Sequence, residues 1–477
     1  MDEMKNNESR PVNPRRRRRS KAEIFKESYL PVIIAAVALI MILVFIIGSI
    51  SRAVQQSNQA KEDAISSSIA AEEEAKRLTE EVEDLLKISA NFAANYDYKN
   101  AITVIDTFTG DITKYPQLID RRAQYEDAEK NLIAWNDPSQ IVNLSFQLLI
   151  ADPTRAFVDR SYGTAYNRNF VTIDEFSEIL NQLYANDYIL VSLDDFITTE
   201  TAEDGSTAYA VKTLYLPAGK KPLVLTQTHV NYNTFMIDGD GDRLPDKNGA
   251  GFASKLILDA NGKLTNEMVD REGNTVTGAY DLVPILNAFL EKHPDFSYKG
   301  AKAIIAVTGY DGLFGYRTNP GAKDRFGEDV YQQEIDNAKK IADTLRKDGY
   351  DIACYTYENV PYGSYSLTRM KTDLNKWINE VVPILGNVDI FAFAQLSDIA
   401  SNGTYSGEKY NTLYDAGFRY FLGFCSNGEL WASVENDYVR QARILVTGSN
   451  MKYHADWFAD LFDPSTVLDS IRGNIPK

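Results

Sequence analysis

Histidine is nearly missing from this chain. Three occur in 477 residues, His229, His293 and His454, and no two stand at the spacing that sets a pair of ligands on one helix face or strand. His293 precedes Pro294 in a helix-to-strand connection, and His454 lies in a surface-like stretch. Cysteine is as scarce. Cys354 and Cys425 exclude a four-cysteine zinc site and a disulfide framework. One bridge or two buried thiols would fit, and the lack of framework spacing favours thiols. Basic charge is also short. The 50 Lys and Arg face 67 Asp and Glu, a formal net of −17. Residues 1–29 hold 9 of the basic and 5 of the acidic residues, which leaves 41 against 62 in the remainder. A body this acidic argues against nucleic-acid binding, which needs basic surface to displace counterions.

What basic charge there is collects at Arg15–Arg19, just ahead of Pro31–Ile50, a run with no charged residue. Roughly twenty apolar residues suffice to cross a hydrocarbon core. The run ends in Gly48-Ser49-Ile50-Ser51-Arg52 without a small-residue cleavage site, so it reads as an uncleaved signal anchor rather than a signal peptide. The positive-inside rule then keeps residues 1–29 in the cytoplasm and puts the body outside the cell membrane.

Residues 52–87 are rich in Glu, Ala, Lys and Ser, without Pro or Gly. Ala64, Ser68, Ala71, Ala75, Leu78, Val82 and Leu85 recur at alternating four and three spacing, a weak heptad seam. A dimeric coiled-coil stalk and a solitary solvated helix both fit. Residues 88–136 read as a small helical hairpin. From residue 137 to the C-terminus strands and helices alternate. The helices are expected over Thr172–Leu183, with Thr172 and Glu175 at capping-box spacing, and over Tyr280–Lys292, Val330–Leu345 and Leu367–Ile384. The strands are expected at Ile141–Ile150, Tyr188–Leu193, Leu223–Thr226, Ala301–Val307, Asp351–Thr356, Asp389–Ala394 and Phe418–Phe424. Such alternation over about 340 residues is the pattern of an α/β fold built on a parallel (β/α) barrel. Ala202–Tyr209 reads as a hairpin or loop, and Ile237–Gly278 as a long polar insertion.

The stretch KPLVLTQTHVNY, Lys221–Tyr232, places a buried strand behind a proline and a polar Gln227-Thr228-His229 at its end. In a parallel barrel, chemistry sits at the C-terminal ends of strands. With LSFQLLIADPTRAF, TIDEFSEILNQLYANDYILVSLDDF, YDLVPILNAFLEKHPDFSYKGAKAIIAVTGYDGLFGYRT and GFRYFLGFCSN, it resembles the NodB-like polysaccharide deacetylases of the membrane-anchored Gram-positive type, over about 330 residues. The resemblance implies a distorted (β/α) barrel, an acetylated glycan substrate and a divalent metal, often zinc. It also implies a T-F-D-D motif supplying base and metal carboxylate, an H-x-x-x-H pair completing the metal site, and a later histidine as acid. A metal in such a site lowers the pKa of a bound water and polarises the carbonyl.

Each of these places departs from the pattern. T-F-D-D is Thr226-Gln227-Thr228-His229, so Thr228 stands at the base and His229 at the metal carboxylate. Tyr355 and Asn359 stand where the histidine pair belongs. No catalytic transition metal is expected. His229 is then a lone base or ligand, or a hydrogen-bonded histidine at the barrel mouth. Asp311, Arg317 and Asp398, at strand ends or the loops after them, either contact a sugar or form loop ion pairs. Tyr232 and Tyr357, like Tyr310, Tyr316, Tyr355 and Trp431, offer stacking surface or belong to the core. In the insertion, Asp238, Asp240, Asp242 and Asp246 take positions 1, 3, 5 and 9 of a calcium-type loop, although Arg243 replaces the usual glycine and Gly249 the closing acid. Calcium or an acidic turn fits that pattern.

Two functions follow. One is a non-catalytic binder or scaffold for cell-wall glycan or an envelope protein. The other is an active glycan deacetylase or related hydrolase with non-standard site residues. The lost motif favours the first, and fold alone does not decide.

Overall fold

The computed structural model describes residues 59–477, except 202–204, 206, 401 and 402. The anchor expected at Pro31–Ile50 lies outside the described residues, and among those described no helix is long and apolar enough to cross a membrane. The chain divides into two compact units after Glu81. The helix Gln59–Ala94 runs through the stretch read as a stalk and beyond it. Ser68, Ala71 and Ala75 of the heptad seam are exposed. Val82, in the second unit, is buried with Ala101, Ile105, Leu118 and Tyr125, so this end of the seam is covered by the chain's own helices Tyr98–Ile105 and Pro116–Lys130. After them, Ile133–Trp135 pairs antiparallel with Leu214–Leu216.

Eight strands form the parallel part of the main sheet: β1 Val142–Phe146, β2 Tyr188–Leu190, β3 Lys221–Thr228, β4 Ala303–Val307, β5 Asp351–Cys354, β6 Ile390–Ala392, β7 Tyr420–Phe424 and β8 Val439–Leu445. Seven close a ring in the order β1-β3-β4-β5-β6-β7-β8 and back to β1, every pair parallel. The strand β2 pairs with the start of β3 outside that ring. Side chains alternate across each strand, and the two faces make two cores. Val224, Ile304, Ala353, Ile390, Leu422 and Val439 pack within one. Leu225, Ile305, Ile352, Phe391 and Ile444 pack with the helices in the other. Burial on both faces explains why these strands read as continuous apolar runs rather than alternating ones.

The helix Ile173–Ala185 begins with the expected capping box between Thr172 and Glu175. The helix expected over Leu367–Ile384 is α-helical over Leu367–Lys376 and again over Val382–Leu385. A π-turn, Trp377–Val381, lies between them, just ahead of Pro383, whose ring nitrogen has no hydrogen to donate. The insertion forms a three-stranded antiparallel meander, Lys255–Leu258, Leu264–Val269 and Thr275–Gly278. Around the Ala202–Tyr209 stretch, Ile197–Thr201 pairs with Thr207–Val211 as a hairpin. The strand β8 is absent from the sequence-based expectation. Two arginines and a glutamine in seven residues, VRQARIL, look unsuited to a buried strand.

Candidate functional site: the barrel mouth

The C-terminal ends of β3 and β5 bring together four residues that lie far apart in the chain. Thr228 ends β3, and its hydroxyl donates to the Phe146 carbonyl at 3.3 Å. His229 follows with φ 63°. Tyr355 follows β5 and sets its ring edge-on against the imidazole, with centroids 4.8 Å apart. Its hydroxyl lies near the Thr228 side chain and the Gln395 backbone. Asn359 stands beside His229, also in the left-handed region at φ 54°. The positions that the resemblance sets at base and metal thus converge at the mouth.

The backbone here is held away from its easy conformations. Besides His229 and Asn359, Thr356, Gln395 and Leu396 have φ of 58°, 51° and 54°. Left-handed backbone is uncommon for non-glycine residues and is costly for a β-branched one such as Thr356. The loop after β5 is fixed by Asp373, whose carboxylate accepts from the Tyr357 and Glu358 amides at 2.8 and 2.9 Å and from the Tyr362 hydroxyl at 2.8 Å. The Thr356 hydroxyl accepts from the Val360 amide at 2.9 Å.

The electrostatics oppose proton transfer. Burial pushes His229 down to about 4, and contact with Asn359 opposes this only partly. Buried His229 Nδ1 and Asn359 Oδ1 have no aligned hydrogen-bond partner. An imidazole with so low a pKa is a weak acceptor near neutral pH. Burial also pushes the Tyr355 hydroxyl up.

The other candidate residues lie in internal contacts. Tyr232 is 1% exposed; its hydroxyl donates to Asp281 Oδ2 at 2.8 Å and accepts from Asn266 Nδ2 at 3.1 Å. Asp281 also accepts from the Leu149 amide at 2.9 Å and from Gln227 Nε2 at 2.5 Å. It is fully buried, and burial raises its pKa to about 6. Asp311 accepts from the Thr234 amide at 2.6 Å. Arg317 donates to the Asp311 and Tyr232 carbonyls at 2.7 and 2.9 Å. Together Asp311 and Arg317 clamp the loops after β3 and β4, and they line a cleft of about 80 Å³ with Thr234, Asn319 and Arg325. Tyr357 is buried and bonded to Glu380. Asp398 pairs with Arg440 at 2.9 Å and accepts from the Tyr405 hydroxyl at 2.8 Å. Both cysteines are buried and free.

The acidic loop gathers three of its four expected ligands. Carboxylate oxygens of Asp238, Asp240 and Asp246 lie within 4.8 Å of one another, while Asp242 accepts from the Leu244 amide at 2.7 Å. An all-carboxylate set fits a hard cation such as calcium. If the loop takes calcium, millimolar calcium raises the melting temperature of the full-length protein, since a ligand of the native state alone stabilises it, and Asp240→Ala removes the rise. No shift in the wild type would make the stretch an ordinary acidic turn.

Sequence reasoning missed Arg443 on β8. It is 1% exposed, with Nε donating to the Gly423 carbonyl at 2.9 Å and Nη2 to the Phe393 carbonyl at 2.8 Å. Its guanidinium carbon is 5.9 Å from the Tyr355 ring centroid. The only signal in the sequence is that Val439, Gln441 and Arg443 share one parity.

No family model matches the chain, and no curated protein matches it by sequence. Among solved structures it is similar to the deacetylase PplD of Streptococcus pyogenes in complex with acetate, at 13% identity and TM-score 0.32, over 67% of this chain and 95% of that one. It is also similar to a Bacillus anthracis protein assigned as a polysaccharide deacetylase, at 10% identity and TM-score 0.34, over 69% of this chain and 70% of that one. These likenesses are distant, and the (β/α) barrel is read from this chain's own closed ring of seven parallel strands.

Proposed function

We propose that this protein is a membrane-anchored, extracellular member of the deacetylase-like barrels that binds glycan of the cell envelope without hydrolysing it. One observation carries the reading. Thr228, His229, Tyr355 and Asn359 meet at the mouth, yet the four supply no carboxylate and one imidazole. That donor set is too poor for a three-ligand catalytic zinc site, and Thr228 is no proton acceptor near neutral pH. What the mouth offers instead is an aromatic ring, a carboxamide and an imidazole on a fixed backbone, groups suited to a sugar.

Full-length protein in detergent is expected to be retained on cell-wall glycan, and Tyr355→Ala is expected to weaken retention at least tenfold. Equal retention of the two would place the binding surface elsewhere. The anchor reading has its own check. Protease added to wall-stripped cells digests the body and spares the N-terminus, whereas a fully protected body would refute the orientation.

A further inference from the structure

We propose that the barrel mouth takes an oxyanion, a carboxylate or phosphate group carried by its ligand, through Arg443. Arg443 is buried inside the strand ring, and two corners of its guanidinium are spent on the Gly423 and Phe393 carbonyls. The third, Nη1, is buried without a partner. Among the described residues no carboxylate forms an ion pair with it. The acidic group whose charge reaches it is Asp398, and that carboxylate is engaged by Arg440 at 2.9 Å and by the Tyr405 hydroxyl at 2.8 and 2.9 Å. Arg440 is itself buried. Two buried guanidinium groups therefore share one carboxylate, and one positive charge is left without compensation. A buried charge is costly unless something pairs with it.

Two hydroxyls at the C-terminal ends of β1 and β4 are unmet as well. Ser145 Oγ and Thr308 Oγ1 are buried without partners. Ser145 lies two residues along from Arg443 in the β1–β8 register, where Leu445 pairs with Ser145; Arg443 and Ser145 share the parity of the inward-facing Val439 and Ile141. Two hydroxyls and a free guanidinium corner suit an oxyanion, whose oxygens accept strong charge-assisted hydrogen bonds. Tyr355, whose ring is 5.9 Å from the guanidinium carbon, keeps 9% of its surface exposed and links Arg443 to the rim.

The inference rests on the mouth being the ligand site and not on its catalytic silence. The test is calorimetric titration of the full-length protein in detergent with glucuronate, with inorganic phosphate, and with N-acetylglucosamine as neutral control. Saturable binding at one per chain is expected for at least one of the two anions and not for the neutral sugar. Glucuronate alone identifies a carboxylate, phosphate alone a phosphate, and both a general oxyanion site. Arg443→Gln should weaken that binding at least tenfold. Should that variant fail to fold, Ser145→Val leaves both carbonyl bonds of Arg443 in place and should weaken binding at least fivefold. Absence of binding by either anion, or affinity unchanged in the variants that fold, overturns the proposal. If glycan retention persists while neither anion binds, only this inference falls. If an anion binds while no glycan is retained, only the functional reading falls.

Discussion

Arg472→Ala is expected to lower the stability of the barrel by about 3–5 kcal/mol, read as a shift of the urea midpoint, because it leaves a buried charge alone. Arg472 sits five residues before Lys477, and its guanidinium meets Glu175 in the capping box of the helix Ile173–Ala185. Side-chain exposure is 1% for Arg472 and 0% for Glu175. The guanidinium also donates to the Asn167 and Phe170 carbonyls, both at 2.7 Å. Glu175 in turn accepts from the Thr172 and Asp469 amides at 2.8 and 2.9 Å. One residue thus fastens the chain end to the first large helix of the barrel. An unchanged midpoint would mean that water reaches the pair, contrary to its burial.

The second large effect concerns the loop that carries the mouth. Asp373→Ala removes an acceptor shared by two backbone amides and the Tyr362 hydroxyl. Each buried donor left unpaired costs about 1–3 kcal/mol, so a loss of about 3 kcal/mol is expected after partial rescue by water. The amides belong to Tyr357 and Glu358, between Tyr355 and Asn359. Glycan retention should therefore fall along with stability, even though Asp373 touches no ligand. Asp373→Asn keeps one acceptor oxygen and should recover part of both. Lost stability with full retention would separate this loop from binding.

Most of the fold is legible in the sequence because parallel strands buried on two faces are written as apolar runs. Leu223–Leu225, Ala303–Val307 and Tyr420–Phe424 are of that kind. The strand β8 is not, since Gln441 and Arg443 face into the ring, where Asn143 Nδ2 donates to Gln441 Oε1 at 3.0 Å and strand-end carbonyls receive Arg443. Partners of this kind come from other strands and leave no local trace. The same holds at the site. Motif spacing picks out Thr228, His229, Tyr355 and Asn359, and the structure gathers them. Composition and loop position alone suggested Tyr232, Asp311, Arg317, Tyr357 and Asp398 as groove residues, and the structure engages them in hydrogen bonds and ion pairs within the protein. The heptad seam shows a third case, in which Val82 obeys the spacing yet packs on its own hairpin.

The central claim is that the mouth holds ligand without metal-dependent hydrolysis. Its most direct test is acetate release from acetylated cell-wall glycan by the full-length protein supplied with zinc, cobalt or nickel. Release no greater than the protein-free blank is expected with each metal. Release above the blank that His229→Ala abolishes would contradict it and make the mouth a rewired active site.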